Sequence, residues 1–258
     1  MKISAEEKEK IIKKLDERVG KMPFFYMKFC KNRERAESIC DGKLYANTAE
    51  FFRKLAAETG EKGQADEKEL FLCLDSVEVS FIDNVTGKLV AFVPNGKMKY
   101  EFKNDKNIPM VSFVGIPLQE MNFLEIDEEN DIVFSFPFTD QDYETIKEKF
   151  GEFVVVVSGE ELSYRLNNFS QETGCEYAFS KIDYREENSK ERVEAFVNGD
   201  RKRLFYKNMD FLYQREYRLM FGMEMPEDHI FSIGKLATAK VEEAKNLKNL
   251  KLCMKIPE

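Results

Sequence analysis

The stretch Tyr213-Gln214-Arg215-Glu216-Tyr217-Arg218-Leu219-Met220-Phe221 has the alternation of a β-strand. Successive side chains of a strand point to opposite faces, so Gln214, Glu216 and Arg218 are expected to share one face. A glutamine and a glutamate side by side can bind a polar ligand and stabilise a cationic transition state. The same pattern is also typical of a solvated sheet face on which Glu216 pairs with a neighbouring arginine.

The composition limits the classes of protein to which the chain can belong. Its 258 residues, of which 43% are hydrophobic and 23 are phenylalanine, allow one large domain with a substantial core. A net charge of −8 argues against coating nucleic acid through bulk charge, although a local basic groove stays open. The chain has no apolar run of about 18 residues that would predict a membrane span.

The cysteines and the histidine bear on compartment and metal binding. Five cysteines are scattered without a CxxC pair, which is typical of reduced thiols in a cytoplasmic protein. The single histidine, His229, excludes a multi-histidine metal site, and we expect no metal cofactor. The charged N-terminus lacks the apolar core of a signal peptide, so we predict a cytoplasmic location.

Capping residues and apolar periodicity give the order of elements. Helices are predicted after Ser4, Asn32, Thr48, Thr139 and Ser158. The run from Phe153 to Val157 is typical of a strand buried on both faces. Further elements are predicted as strands at 24–29, 175–184, 230–234 and 250–256 and as helices at 205–212 and 241–247.

This order of elements is mixed and lacks a regular βαβ alternation. It favours an α+β fold with a largely antiparallel sheet flanked by helices. No repeat or linker divides the chain, so residues 1–258 are expected to form one domain. Residues 70–126 are rich in predicted strands and are a possible β-rich insertion.

Two further sets of residues are candidates for ligand binding. Tyr26 and Lys28 fall on one face of the first strand, where they can stack on a nicotinamide ring and hold a phosphate. Asn47 follows a short strand, and Arg53 lies a turn inside the helix capped by Thr48, whose start offers N–H groups to an anion. The plainer interpretations are a sheet with one wet face and ordinary helix capping.

The polar segment from Gly63 to Glu69 is predicted to be a loop. It can cover a site, or bind a cation through Asp66 and Glu69, although its acidic residues lack the spacing of a calcium loop. A solvated loop is the simpler interpretation. The basic residues Arg201-Lys202-Arg203 form too short a cluster to predict nucleic-acid contact.

Several short motifs resemble those of one protein family. They are Tyr26-Met27-Lys28-Phe29, the segment 41–48, Phe51-Phe52-Arg53-Lys54, Phe150-Gly151, Tyr184, Lys207 and Gln214-Arg215-Glu216-Tyr217-Arg218. The chain resembles, on these residues, a family of uncharacterised bacterial and phage proteins associated with abortive infection. That family is similar to ADP-ribosyltransferase-like toxins, including those that modify DNA.

This resemblance implies an ADP-ribosyltransferase-like fold and site. Glu216 would be the late-strand glutamate, Gln214 would complete a Q-x-E pair and Tyr26 would stack on nicotinamide. Lys28 would hold phosphate, at a position where the family usually has histidine or arginine. The serine strand of the family has two candidates here, Val111-Ser112-Phe113 and Phe134-Ser135-Phe136.

Three functions follow as expectations. The first is an ADP-ribosyltransferase-like protein of phage–host conflict or stress response, which uses NAD and transfers to a macromolecule. The second is a catalytically inactive binding protein of phage or bacterial defence that uses the same cleft or the strands of 70–126. The third is a metal-dependent, nuclease-like enzyme with Asp66, Glu69 and Glu216 as ligands.

Overall fold

The computed structural model describes residues 10, 13, 22–60, 66–126 and 132–255. Within these ranges the chain is an α+β protein with largely antiparallel sheets. The helix predicted from Ser4 to Gly20 lies outside the described residues except for Lys10 and Lys13, which are helical. Residues 63–65 of the predicted loop also lie outside the described residues.

The described helices and strands have the following bounds. The α-helices are α1 Arg33–Cys40, α2 Ala49–Thr59, α3 Asp140–Phe150, α4 Gly159–Thr173 and α5 Lys190–Val197. The strands are β1 Phe25–Cys30, β2 Lys43–Tyr45, β3 Leu72–Ile82, β4 Leu89–Tyr100, β5 Met110–Gly115, β6 Asn122–Ile126, β7 Ile132–Ser135, β8 Phe153–Ser158, β9 Tyr177–Lys181, β10 Asp183–Tyr184, β11 Tyr206–Lys207, β12 Glu216–Phe221, β13 Ile230–Ser232, β14 Lys240–Glu243 and β15 Lys251–Met254. Short 3₁₀ helices cover Asp105–Asn107, Leu118–Glu120, Arg201–Phe205, Met209–Gln214 and Ala244–Asn249.

Four helices begin at the capping residues that the sequence indicates. Asn32, Thr48, Thr139 and Ser158 each accept a hydrogen bond from the backbone N–H three residues further along. Each side chain thereby satisfies one of the N–H groups that a helix leaves unpaired at its start. The predictions of α1 to α4 are confirmed.

The largest sheet has six strands in the order β14-β8-β1-β5-β12-β9. Every neighbouring pair in it is antiparallel. Val154, Val155 and Val157 of β8 are at most 1% exposed, which confirms the strand buried on both faces.

Apolar clusters cover both faces of this sheet. On one face Tyr26, Val155 and Leu219 pack with residues of α1 and α4. On the other face Met27 and Val154 pack with Tyr143 of α3 and with strands of a smaller sheet of order β15-β7-β6. The sheet therefore lies between two apolar layers.

The strands of residues 70–126 enter three different sheets. β5 lies inside the largest sheet, between β1 and β12, and β6 pairs with β7. β3 and β4 form a separate two-stranded antiparallel sheet, here called the ribbon (residues 72–100). The ribbon pairs with no other strand of the described chain.

Three local predictions are wrong. The strand predicted from Tyr213 begins at Glu216, because Arg215 adopts a left-handed conformation with φ of 45° after a 3₁₀ helix. The helix predicted at 205–212 consists of parts of two 3₁₀ helices separated by β11, which pairs with β10. The helix predicted at 241–247 is β14 followed by a 3₁₀ helix, because pairing with β8 overrides local helix propensity.

Candidate functional site

A cavity opens where β1 and β5 separate. These two strands pair at only two positions, Tyr26 with Gly115 and Met27 with Val114, whereas β1 pairs with β8 along its full length. Beyond this point Met110 of β5 exchanges backbone hydrogen bonds with Asn47. The gap is part of a cavity of about 610 Å³ that residues 27–31 and 110–114 line from its two sides.

The cavity wall formed by β12 carries a glutamate with several hydrogen-bond donors. Ser112 donates its hydroxyl to Glu216 Oε1 at 2.7 Å, and Arg218 Nε donates to the same oxygen at 3.0 Å. Lys207 Nζ donates to Glu216 Oε2 at 3.0 Å and to Gln214 Oε1 at 2.9 Å. These contacts fix the orientation of the Glu216 carboxylate before any ligand binds.

A second carboxylate completes this group of charges. Glu69 Oε1 lies 2.7 Å from Arg218 Nη2, and its Oε2 lies 3.7 Å from Lys207 Nζ. Arg218 also donates from Nη1 to the carbonyl of Leu204 at 2.8 Å. Glu69, Lys207, Glu216 and Arg218, here called the ion cluster, are between 1% and 6% exposed. Each of these buried charges faces a partner of opposite sign, as burial requires.

The surroundings set the protonation state of the ion cluster. Burial alone raises the pKa of Glu216, but Lys207, Arg218 and the Ser112 hydroxyl lower it well below its usual range. Burial lowers the pKa of Lys207, and Glu216 with Glu69 more than reverse this, so the net pKa is raised. Both groups are therefore charged at neutral pH.

Asp66 borders the ion cluster and behaves differently. Burial, followed by the charge of Glu69, raises the pKa of Asp66 to about 6, despite the opposing effects of Lys207 and Arg218. Its Oδ1 accepts a hydrogen bond from the backbone N–H of Lys68 at 2.8 Å. Asp66 therefore titrates closer to neutral pH than an ordinary aspartate does.

Cations dominate the charged groups of the cavity lining. Among the described residues, the lining of the cavity has six cationic side chains and two carboxylates, Glu69 and Glu216. The cations are Lys28, Lys31, Arg35, Lys43, Lys207 and Arg218. Aromatic rings also line it, from Phe29, Tyr45, Phe51, Phe52, Phe113, Phe150 and Tyr213. This combination suits a ligand that carries both negative charge and a flat ring.

Lys28 lies in the gap between the strands. Its Nζ donates to the backbone carbonyl of Ser112 at 2.7 Å, and so connects β1 to β5 where their backbones no longer pair. Burial lowers the pKa of Lys28, against the opposing charges of Cys30 and Glu216. Lys28 and Glu216 both line the same cavity.

Tyr26 lies in the core, away from this cavity. Its side chain is 1% exposed, and its ring centroid lies 4.8 Å from that of Phe179 and 5.2 Å from that of Tyr217. The cavity lining does not include Tyr26 among the described residues. Its ring packs on other aromatic rings of the protein, and these rings cover the surface that would stack on a ligand.

Asn47 and Arg53 lie in different environments. Asn47 lines the cavity, and its side-chain oxygen is buried without a hydrogen-bond partner among the described residues. Arg53 does not line the described cavity; it donates to the carbonyl of Glu69 and to Glu101 and lies over the ring of Phe71. Asn47 is thus placed to contact a ligand, whereas Arg53 ties α2 to the start of the ribbon.

Gln214 and Glu216 meet through Lys207 instead of through a shared strand face. Gln214 ends the 3₁₀ helix before β12, and the left-handed Arg215 separates it from the strand. Both side chains accept hydrogen bonds from the one ammonium group of Lys207. The two side chains are therefore close together because both bind Lys207, and not because they share a strand face.

Sequence patterns left much of the ion cluster unidentified. The sequence marks Ser112 only through a candidate serine strand and Lys207 only through a resemblance, and it predicts no partner for either side chain. The sequence offers Glu69 as a metal ligand, but in the structure Glu69 faces the cations of Lys207 and Arg218. No group of three or more potential ligands is arranged to hold a metal ion in the described parts of the chain.

Comparisons with known proteins add no identification. The chain matches no protein-family model, no curated protein and no solved structure. No described helix is both long and apolar enough to cross a membrane.

Proposed function

We propose that the cavity binds NAD and that the protein is an ADP-ribosyltransferase-like enzyme that acts on a macromolecule. The observation that carries this proposal is the charge of the lining: among the described residues, six cations against two carboxylates leave an excess of four positive charges in a chain whose net charge is −8. Cations gathered at one cavity in an acidic protein favour an anionic ligand. The aromatic side chains around them favour one that contains rings.

The residues of the cavity have separate parts in this proposal. The cationic side chains outside the ion cluster hold the phosphates, and Asn47 Oδ1 accepts a hydrogen bond from an amide or amine of the ligand. Glu216 faces the ribosyl carbon as its bond to the nicotinamide nitrogen breaks, and its negative charge stabilises the cation that forms. The electron pair of that bond leaves with nicotinamide, and a nucleophile of the acceptor then bonds to the ribosyl carbon.

Ligand binding without turnover is a second candidate function, and a specific contact favours it. Ser112, Lys207 and Arg218 together engage both oxygens of Glu216. Lys207 and Arg218 offset the negative charge of Glu216, which would otherwise stabilise the ribosyl cation as nicotinamide departs. In this alternative the cavity recognises the same nucleotide, and the protein acts as a binding module of phage or bacterial defence.

Two measurements on the same samples separate these functions. NAD binding is measured by calorimetry, and nicotinamide release is measured with and without DNA, RNA or cell lysate as the acceptor. The enzyme proposal predicts both signals, and loss of release in Glu216→Gln, whereas Glu172→Gln, at an exposed position of α4, keeps wild-type release. Binding without release supports the second candidate, and absence of binding contradicts both.

An exposed cation tests the binding step without disturbing the ion cluster. Lys43 is exposed and lines the cavity. Lys43→Ala is expected to weaken NAD binding roughly tenfold, as the loss of one charge-assisted contact to phosphate does. Lys54→Ala, on the exposed side of α2 and outside the lining, is the matched control. Equal affinities in the two variants would remove Lys43 from the phosphate site.

The cellular part of the proposal, a role in phage–host conflict or stress response, rests on the sequence resemblance. Plaque counts on cells that express either the wild-type protein or Glu216→Gln test it. Protection that requires Glu216 supports a catalytic role. Equal plaque counts with and without the wild-type protein contradict a role in defence.

A further inference from the structure

One buried acceptor beside the cavity has no hydrogen-bond donor. The side-chain oxygen of Asn47 is buried, no described residue donates to it, and Asn47 lines the cavity. Burial of an acceptor without a donor costs free energy, because the hydrogen bond that water gave it is lost and not replaced. A ligand that brings an N–H group to this oxygen recovers that free energy. Asn47 therefore favours a ligand with a donor at this position.

The backbone fixes the position of Asn47. Its N–H donates to the carbonyl of Met110 at 3.1 Å, and its carbonyl accepts from the N–H of Met110 at 2.8 Å. The next residue, Thr48, caps α2 and accepts from the N–H of Phe51 at 3.2 Å. Asn47 is thus held between β5 and the start of a helix, and its place beside the cavity is set before any ligand binds.

The level of Asn47 along β5 selects one end of the dinucleotide. Asn47 pairs with Met110, and Ser112 of the same strand donates to the Glu216 carboxylate at 2.7 Å. Two residues of a strand span about 7 Å. In NAD the nicotinamide ring alone separates the carboxamide from the ribosyl carbon at which Glu216 acts, whereas the diphosphate and a second ribose separate the adenine amine from it. The carboxamide is therefore the donor that reaches Asn47.

The neighbourhood of Asn47 is apolar. Its pairing partner Met110 and its chain neighbours Ala49 and Phe52 belong to one apolar cluster. Phe51 and Phe52 also line the cavity and offer aromatic rings beside Asn47. Such surroundings accept a neutral carboxamide, whereas they remove the hydration of a carboxylate without giving it a donor.

We propose that Asn47 recognises the carboxamide of nicotinamide and selects NAD over its acid form, nicotinic acid adenine dinucleotide. This inference rests on the proposed binding of NAD, and it adds the residue that determines which dinucleotide binds. The carboxamide N–H donates to Asn47 Oδ1. The carboxylate of the acid form has no N–H, so its oxygens would meet the oxygen of Asn47 and repel it.

The charge of the cavity makes this preference diagnostic. The acid form carries one more negative charge than NAD, and the excess of cations in the described lining favours the more negative ligand. Charge alone therefore predicts tighter binding of the acid form, whereas recognition by Asn47 predicts tighter binding of NAD. The two explanations differ in sign.

Calorimetry with NAD, the acid form and ADP-ribose, which has no nicotinamide ring, tests the proposal. Wild-type protein is expected to bind NAD at least about tenfold more tightly than the acid form. Asn47→Ala is expected to lose about tenfold in NAD affinity and to bind the acid form at least as tightly as NAD, because only charge then discriminates. Its affinity for ADP-ribose stays at the wild-type value, which also shows that the variant is folded.

The matched control is Asn104→Ala. Asn104 is exposed, makes no side-chain cap hydrogen bond and lies outside the described lining, so all three affinities are expected to persist. Wild-type protein that binds the acid form as tightly as NAD overturns the proposal. An Asn47→Ala variant that keeps the wild-type preference, or that loses affinity for ADP-ribose, also overturns it. Wild-type protein still binds NAD in each of these cases, whereas absence of NAD binding overturns the proposed function as well.

Discussion

The ion cluster and the ribbon each depart from the usual distribution of side chains, in which charged groups are exposed and apolar groups are buried. The ion cluster holds four charged side chains at no more than 6% exposure, whereas the ribbon exposes large apolar ones. The buried charges contact one another, and the exposed apolar residues lack a partner among the described residues. Contacts inside the chain thus explain the burial of the charges in the ion cluster, whereas no described residue covers the apolar side chains of the ribbon.

The largest expected effect comes from removing one charge of the ion cluster. Lys207→Met leaves Glu216 and Glu69 with an uncompensated buried charge and is expected to cost about 3–5 kcal/mol of unfolding free energy. Lys97→Met, the same substitution on the ribbon where Lys97 is 85% exposed, is expected to change it by less than about 0.5 kcal/mol. Urea unfolding measures both, and equal losses would remove the contrast between the regions.

A smaller difference in unfolding free energy is expected between substitutions of two valines, one in each of two apolar runs. Val155 of β8 is fully buried, so Val155→Ala is expected to cost about 1–3 kcal/mol through lost contacts and a cavity. Val93 of the ribbon is 45% exposed, and Val93→Ala is expected to cost less than about 1 kcal/mol of unfolding free energy. Thermal unfolding at low protein concentration measures both. A large loss for Val93→Ala would show that the ribbon is already covered within one chain.

The smallest predicted effect is the pH dependence due to Asp66. Its pKa is raised to about 6 in the folded protein, so the folded state binds a proton more tightly than the unfolded chain does. The contribution of Asp66 to the free energy of unfolding is fully present below the pKa of about 4 in the unfolded chain, and it is lost as the pH rises through about 6. Wild-type protein is expected to gain roughly 1 kcal/mol, relative to Asp66→Asn, between pH 7 and pH 5. Parallel pH profiles would assign the titration to other groups.

Local signals in the sequence predicted much of the fold. The caps at Asn32, Thr48, Thr139 and Ser158 correctly placed four helices, because a cap depends on residues only a few positions away. The valine run of β8 was correctly predicted as a buried strand. The similar run Leu89-Val90-Ala91-Phe92-Val93 also forms a strand, but it is exposed. An apolar run therefore predicts a strand without identifying what covers it.

The candidate site could be predicted only in part. Glu216, Lys28 and Asn47 line the cavity, but Ser112, Lys207 and Glu69 come from distant segments whose meeting depends on the order of the strands. The alternation that suggested the Gln214 and Glu216 pair fails at Arg215, where φ is positive. Tyr26 was correctly placed on one face of β1, but the pattern could not show that other rings cover that face.

The strand order of the largest sheet also bears on the order in which parts of the chain can fold. No two neighbours in β14-β8-β1-β5-β12-β9 are consecutive in the chain, so the sheet closes only through contacts between distant segments, which form slowly. The ribbon is a local hairpin, and hairpins form within about 1–10 µs. During synthesis the ribbon therefore emerges before β8 and β12 exist, and before Arg192, which donates a hydrogen bond at its base.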